Sequence, residues 1–382
     1  MSMIRLLSVV FILFLPLFVN GGVVPMGDLN ENNLVTAITK SSGLLTTHIE
    51  EKHTFHGLAS YYNDSNYYIV SSDDLYKVRL DDVIKLQKNQ WLAIVGRYNV
   101  LLIYVVGITG HLNESGLIID NPETLNQLDT IVRVVAKPYL SSVATELDQI
   151  RYAHLWWPLA QLAKIVEYSL ISIQYNIVSS WGLTIVIFSI LLKFILLPVS
   201  LMTIRFQRRM AQVQAQLAPK LLEIKKKYDG EEAHNRIMAA HNELGVSPFY
   251  TLKPILGLFV QIPLMISVFN ALGEMPQLDG QTFLWIENLA YPDSVGNLSF
   301  SIPIFGNVIS LLPFIMTAVT LYSTIIFQNR YATKVELKYQ KRNLYLMGAA
   351  FFVLFYPFPA SMVLYWASSN ILHVFLQKKF RV

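Results

Sequence analysis

Apolar and polar positions divide this chain into a short apolar opening, a long polar block and a C-terminal half built of long apolar runs. Residues 6–19 are apolar behind Arg5, and as a helix they reach about 21 Å, short of the roughly 30 Å hydrocarbon core of a bilayer. With Val19 and Gly21 as small residues at a cleavage position, the pattern predicts a signal peptide over residues 1–21 or, uncleaved, an N-terminal anchor. Either would export the polar block. Residues 22–155 alternate polar stretches with β-branched and aromatic runs such as 67–70 and 91–106, punctuated by Asn63-Asp64-Ser65 and Asn113-Glu114-Ser115-Gly116. That rhythm predicts a β-rich extracytoplasmic domain. The stretch 98–106 is too short to span as a helix and fits the core of a soluble sheet.

Trp156-Trp157-Pro158 then opens an amphipathic stretch, 156–178. Gln161, Lys164 and Tyr168 share one helical face, and Leu159, Leu162, Ile165, Val166 and Leu170 lie toward the other. Paired tryptophans favour headgroup depth, so this reads as a helix lying on the outer leaflet. Apolar runs come next at 181–202, 252–272, 305–327 and 344–376, the last long enough for two short helices broken at Pro357-Phe358-Pro359. Five spanning helices result. The fold class read from this pattern is a polytopic α-helical membrane protein, residues 179–378 forming the bundle, with the β-rich domain in front.

Composition agrees: hydrophobic residues make up 53% of the 382 and charged residues 15%, too apolar for an ordinary soluble domain. Cysteine is absent, which excludes disulfides, thiolate zinc and thiol catalysis. Placement of charge says more than its +4 sum. Residues 205–250 carry eight Lys/Arg and 328–343 carry five, Lys378, Lys379 and Arg381 end the chain, and 273–303 has none. By the positive-inside rule the basic segments are cytoplasmic, and all three fall on one side only if the last run is split in two. Within 205–250, Leu217, Leu221 and Ile224, a turn at Asp229-Gly230, then Ile237, Met238 and Leu244 predict a helical hairpin projecting into the cytoplasm. Its Lys225, Lys226 and Lys227, like Lys378 and Lys379, are candidates for contact with ribosomes, anionic lipid or partner proteins. They lack the aromatic interleaving of a nucleic-acid surface.

Lys193 lies near the middle of the run 181–202, which contains no acidic residue. An intramembrane charge costs about 2.5 to 3.5 kcal/mol on insertion scales, which marks a water-accessible functional site; the alternative is a tolerated structural lysine. Arg205 and Trp181 are each about 15 to 18 Å away along a helix, too far for easy snorkelling.

Several strings resemble the YidC/Oxa/Alb membrane insertase family: Trp181-Gly182 opening the first span and Pro198 closing it, Gln261-Ile262-Pro263 in the second, Phe283-Leu284-Trp285-Ile286 in the outer loop, and 359–366 with Ser369-Asn370 in the last. Gln90-Trp91-Leu92-Ala93 and Arg97-Tyr98 are similar to part of the periplasmic domain of Gram-negative members, here in a shortened form. The resemblance implies a bacterial inner-membrane insertase and chaperone, acting as a monomer without cofactor, whose partners are nascent membrane proteins, lipids and, for some members, the ribosome and a Sec-type translocon. It implies a hydrophilic groove open to cytoplasm and lipid, lined at matching positions by Lys193, Ser189, Gln261, Tyr365 and Trp366. The family's usual groove cation is arginine, and lysine here departs from it: a desolvated lysine can neutralise, whereas arginine keeps its charge and five fixed donors.

Two other classes compete. A small-solute or ion transporter would use Lys193 as a coupling charge, but inverted repeats and partner carboxylates are missing. An intramembrane Ser/Lys hydrolase would use Ser189 and Lys193 at i, i+4, without an oxyanion motif. The group His48, Glu50, Glu51, His53 and His56 matches no metal-ligand spacing. No phosphate-binding loop is present, so the expectation is a protein that is not an enzyme and needs no nucleotide.

Overall fold

The computed structural model describes residues 44–46, 55–104, 107, 109–113, 116–120, 131–245, 256–303, 305–326 and 334–380. The opening segment 1–21, and His48, Glu50, Glu51 and His53, lie outside them. The β-rich region is an antiparallel sandwich. Strands β1 (Leu44–Thr46), β2 (Asn66–Val70), β3 (Leu75–Val78), β4 (Val83–Lys85), β5 (Trp91–Val95), β6 (Asn99–Tyr104), β7 (Thr109–Asn113), β8 (Gly116–Ile119) and β9 (Ile131–Ala136) form two sheets. Their orders are β1-β8-β7-β4 and β3-β2-β5-β6-β9.

The larger sheet is buried on both faces, which explains why β5 and β6 read as continuous apolar runs. Leu92, Ile94, Leu101 and Ile103 pack with Ile84, Leu86 and Leu112 of the smaller sheet side. Trp91, Ala93, Val95, Val100 and Leu102 face the other way, against Leu140, Leu147 and Ile150 of the segment after β9.

Helix α1 (Trp157–Asn176) comes next, with Trp156 and Trp157 exposed. Its polar face is less solvated than its sequence suggests. Lys164 binds the Asp148 carboxylate at 2.6 Å, and buried Glu167 accepts from Arg151 at 2.6 Å and from the Tyr152 hydroxyl at 2.8 Å. Burial, with the Glu167 carboxylate beside it, holds the Tyr152 hydroxyl well above the usual phenol range, so it stays a donor. Ile165, expected on the apolar face, is exposed, and the buried stripe runs through Ala160, Ala163, Val166, Leu170 and Ile173. Small residues there let the apolar helix Leu256–Glu274 approach closely, and its Ser267 hydroxyl donates to the Leu159 carbonyl at 3.0 Å.

The apolar runs become α2 (Trp181–Ile195), α5 (Leu256–Glu274), α6 (Leu312–Ile326), α7 (Lys334–Phe355) and α8 (Ala360–Phe380). Between the first two stand α3 (Leu197–Lys227) and α4 (Gly230–Glu243), a helical hairpin joined by the Lys220–Glu243 ion pair at 2.8 Å. Three boundaries differ from the sequence-based expectation. The first run breaks at Leu196, so residues 197–202 belong to the hairpin helix, with Pro198 in its first turn, where a missing N–H costs nothing. Residues 305–311 are not helical: Gly306–Ile309 (β11) pairs with Gly296–Ile302 (β10) in a hairpin. Helix α7 begins inside the second basic segment. The last run is divided at 356–359, around Pro357 and Pro359. Among the described residues no single helix is long and apolar enough to cross a membrane by itself; α1 and α2 meet that test as a pair bent by 120°.

Asp293 ties the loop between α5 and β10 to α6. Its buried carboxylate accepts from the backbone N–H groups of Leu311 at 2.7 Å and Leu312 at 2.9 Å, and from the Trp285 indole at 3.2 Å. It thus satisfies donors that the start of a helix leaves without intrahelical partners.

Candidate functional site

Helices α2 and α8 pack side by side and position the candidate residues. Two strings far apart in sequence meet at the N-terminal end of α2. A Cβ on Gly182 would collide with the Phe283 side chain, so only glycine lets the loop after α5 seat there. Phe283 and Ile286 bond each other reciprocally at 2.9 Å, closing the Phe283-Leu284-Trp285-Ile286 turn over the helix end. The start of α8 is held by the same loop: Ala360 N–H donates to Tyr291 and Ser361 N–H to Leu289.

Lys193 stands in the last turn of α2, not in mid-helix, because the helix ends at Ile195. A cation is favoured there by the exposed carbonyls of a helix C-terminus, a stabilising effect that the length of the apolar run conceals. The side chain is half-buried, and among the described residues it has no acidic partner. Helix α8, which packs on α2, carries His373. A lone histidine in an apolar run carries no signal until the packing of α8 on α2 is known, so His373 is absent from the sequence-based candidates.

Ser189 is one turn before Lys193 and fully buried, and its hydroxyl donates to the Val186 carbonyl at 2.7 Å. The proton a hydrolase base would remove is occupied within the helix, which weakens the Ser/Lys dyad. Tyr365 and Trp366 enter the same interior. Tyr365 meets Phe188 and Phe269, and Trp366 packs on Phe269, Phe351 and Phe355. The Trp366 indole N–H, the Thr184 hydroxyl and the Ser361 hydroxyl are buried without hydrogen-bond partners among the described residues. Each such group costs about 1 to 3 kcal/mol. Thr184 is a buried polar group of the apolar bundle that sequence pattern does not single out.

Gln261 is exposed on the N-terminal half of α5 beside the exposed Phe259, Val260 and Ile262. Of the basic candidates, Lys226 is exposed and Lys227 is paired with Glu223 at 2.6 Å within its own helix. The side chains of Lys225, Lys378 and Lys379 lie outside the described residues. No group of metal-ligating side chains occurs among the described residues.

Comparison with known proteins bears on the same helices. The chain is 26% identical over 310 residues to the membrane protein insertase YidC of Pelodictyon phaeoclathratiforme, covering 75% of this chain and 50% of that protein. It is 25% identical over 347 residues to the YidC of Chlorobaculum tepidum, covering 85% and 56%. The chain thus spans about half the length of the relatives it matches. A crystal structure of an active YidC insertase with its first transmembrane domain resolved matches 88% of both chains at 16% identity, with a TM-score of 0.39, a likeness too weak to carry the assignment. The family model of the 60Kd inner membrane protein matches residues 173–381, which takes in α2 to α8 with every candidate groove residue; the chain belongs to this family, the YidC/Oxa/Alb insertases.

Proposed function

We propose that this chain is a membrane protein insertase and chaperone of the bacterial inner membrane, in which α2, α5, α6, α7 and α8 are the five spans. A client helix followed by a polar outer segment must carry that segment through hydrocarbon, where each unsatisfied backbone group costs several kcal/mol. A wet recess reaching part-way across shortens the dry distance. Lys193, with Ser189 one turn behind it and His373 on α8, holds the client's polar segment, and the aromatic wall of Tyr365 and Trp366 guides its apolar helix toward lipid. The observation that carries this reading is a half-buried lysine without an acidic partner among the described residues, on the helix that packs against the last one, in a bundle whose Phe259, Phe314, Ile325, Leu346 and Phe375 face outward. Outward apolar side chains suit a lipid surround.

In this arrangement the α3–α4 hairpin is cytoplasmic, where it meets ribosomes, a Sec-type translocon or anionic lipid, and the β-rich domain is periplasmic. Depletion of the chain, followed by proteomics of the membrane fraction, should show broad loss of small membrane proteins; loss of one solute's uptake with membrane proteins intact would favour a transporter. Orientation has its own check. Because the chain has no cysteine, single cysteines at Asp229, Asn343 and Asp279 report cleanly. An impermeant thiol reagent added outside should label only the one at 279, and labelling at 229 would reverse the topology.

A further inference from the structure

The outer end of α5 is held by the β-rich domain through two buried cations that the groove does not use. Arg97, in the turn between β5 and β6, is 3% exposed. Its Nε donates to the Gly273 carbonyl at 2.7 Å and its Nη2 to the Ala290 carbonyl at 2.8 Å. The guanidinium lies 4.6 to 5.6 Å from the ring centres of Tyr98, Phe55, Tyr62 and Tyr291. Lys137, just after β9, forms a buried ion pair with Glu274 at 2.7 Å. Gly273 completes the seam, since a Cβ there would collide with the Tyr62 hydroxyl and the Met362 methyl.

These contacts converge on the last two residues of α5. Cations placed at a helix C-terminus meet its unsatisfied carbonyls, and burial strengthens the interaction by excluding water. Burying a charge without such partners would be strongly unfavourable, so the partners and the charge are retained together or lost together. The packing of α5 changes along its length. Val268, Ala271 and Leu272, with Met275 just beyond the outer end, are buried, whereas Phe259, Val260, Gln261 and Ile262 are exposed. Pro263 separates the two halves and deprives the helix of one backbone hydrogen bond.

We infer that Arg97 and Lys137 clamp the outer end of α5 to the outer domain, so that the helix yields to an entering client only in its inner half, hinging at Pro263. The outer domain is then a brace for the bundle and not a separately moving module. This rests on the insertase reading only for the hinge; the clamp is independent of it.

Spin labels on the 382-residue, cysteine-free chain in lipid nanodiscs test both parts. One pair, at Lys77 and Thr282, spans the seam from exposed sites; a second, at Thr282 and Phe259, spans α5. The first distance distribution should be narrow in the parent and at least about twofold broader in Arg97→Ala combined with Lys137→Ala. Arg97→Lys, which keeps the charge but loses the two-carbonyl fork, should fall between, and guards against reading a misfolded double variant as a broken clamp. A narrow distribution in the double variant would overturn the clamp. Adding a purified single-span protein with an acidic outer segment should shift the second pair and leave the first unchanged. A shift in the first pair would also overturn the clamp. If neither pair shifts while the double variant still broadens, the clamp stands and the hinge, with the groove reading behind it, fails.

Discussion

Asp293→Ala is expected to be the most destabilising single change in the outer loop, lowering stability by about 2 to 4 kcal/mol. The carboxylate accepts from two backbone N–H groups at the start of α6 and from the Trp285 indole, and alanine leaves all three without it. Water cannot readily replace it, because Asp293 is buried and Leu312 is 2% exposed. The damage should spread. Trp285 sits in the turn that seats on Gly182, and the same loop binds the start of α8, so loosening it releases both helices that carry the candidate groove. Thermal unfolding in detergent should show a drop of several degrees for Asp293→Ala. Asp293→Asn, which keeps one acceptor oxygen in place, should recover most of it. An alanine variant as stable as the parent would mean that Asp293 does not cap α6 in the folded protein.

The parts of the fold legible in sequence are those governed by local periodicity. The β-rich block, the helical hairpin and the apolar helices follow from alternation and from 3.6-residue spacing, and the split of the last run follows from two prolines and from loop charge. Boundaries that depend on partners were not legible. The break at Leu196 has no proline or glycine before Pro198 to announce it, and Val308, Ile309 and Leu311 lead into the apolar run of α6 while pairing with β10 makes Gly306–Ile309 a strand. The site divides in the same way. Lys193 and Ser189 stand out because their chemistry is costly in an apolar run, whereas His373, Thr184 and Arg97 acquire meaning only from what packs against them. Gln261 comes from the family strings alone, and it is exposed on the N-terminal half of α5.

Lys193→Leu is expected to lower insertion of clients with acidic outer segments at least about tenfold, the equivalent of about 1.4 kcal/mol. The lysine supplies the charge on the α2–α8 seam, and its loss removes both the attraction for a carboxylate and the reason for water to enter. Clients with neutral outer segments need only the apolar wall at Tyr365 and Trp366 and should insert nearly as before. Lys193→Arg should retain both classes, because arginine keeps the cation and is the usual residue of the family at this position. The bundle's outward apolar surface is untouched by either change, so protein levels should hold.

The most direct measurement compares one single-span client in two versions, with its outer acidic residues intact or neutralised, in cells depleted of the parent and carrying Lys193, Lys193→Arg or Lys193→Leu at matched levels. Protease accessibility of the outer segment reports insertion. A hydrated cation predicts that only Lys193→Leu separates the two versions, inserting the neutral client and failing the acidic one. Equal insertion of both by Lys193→Leu would contradict it and leave Lys193 as a helix-terminal lysine held by the carbonyls at the end of α2.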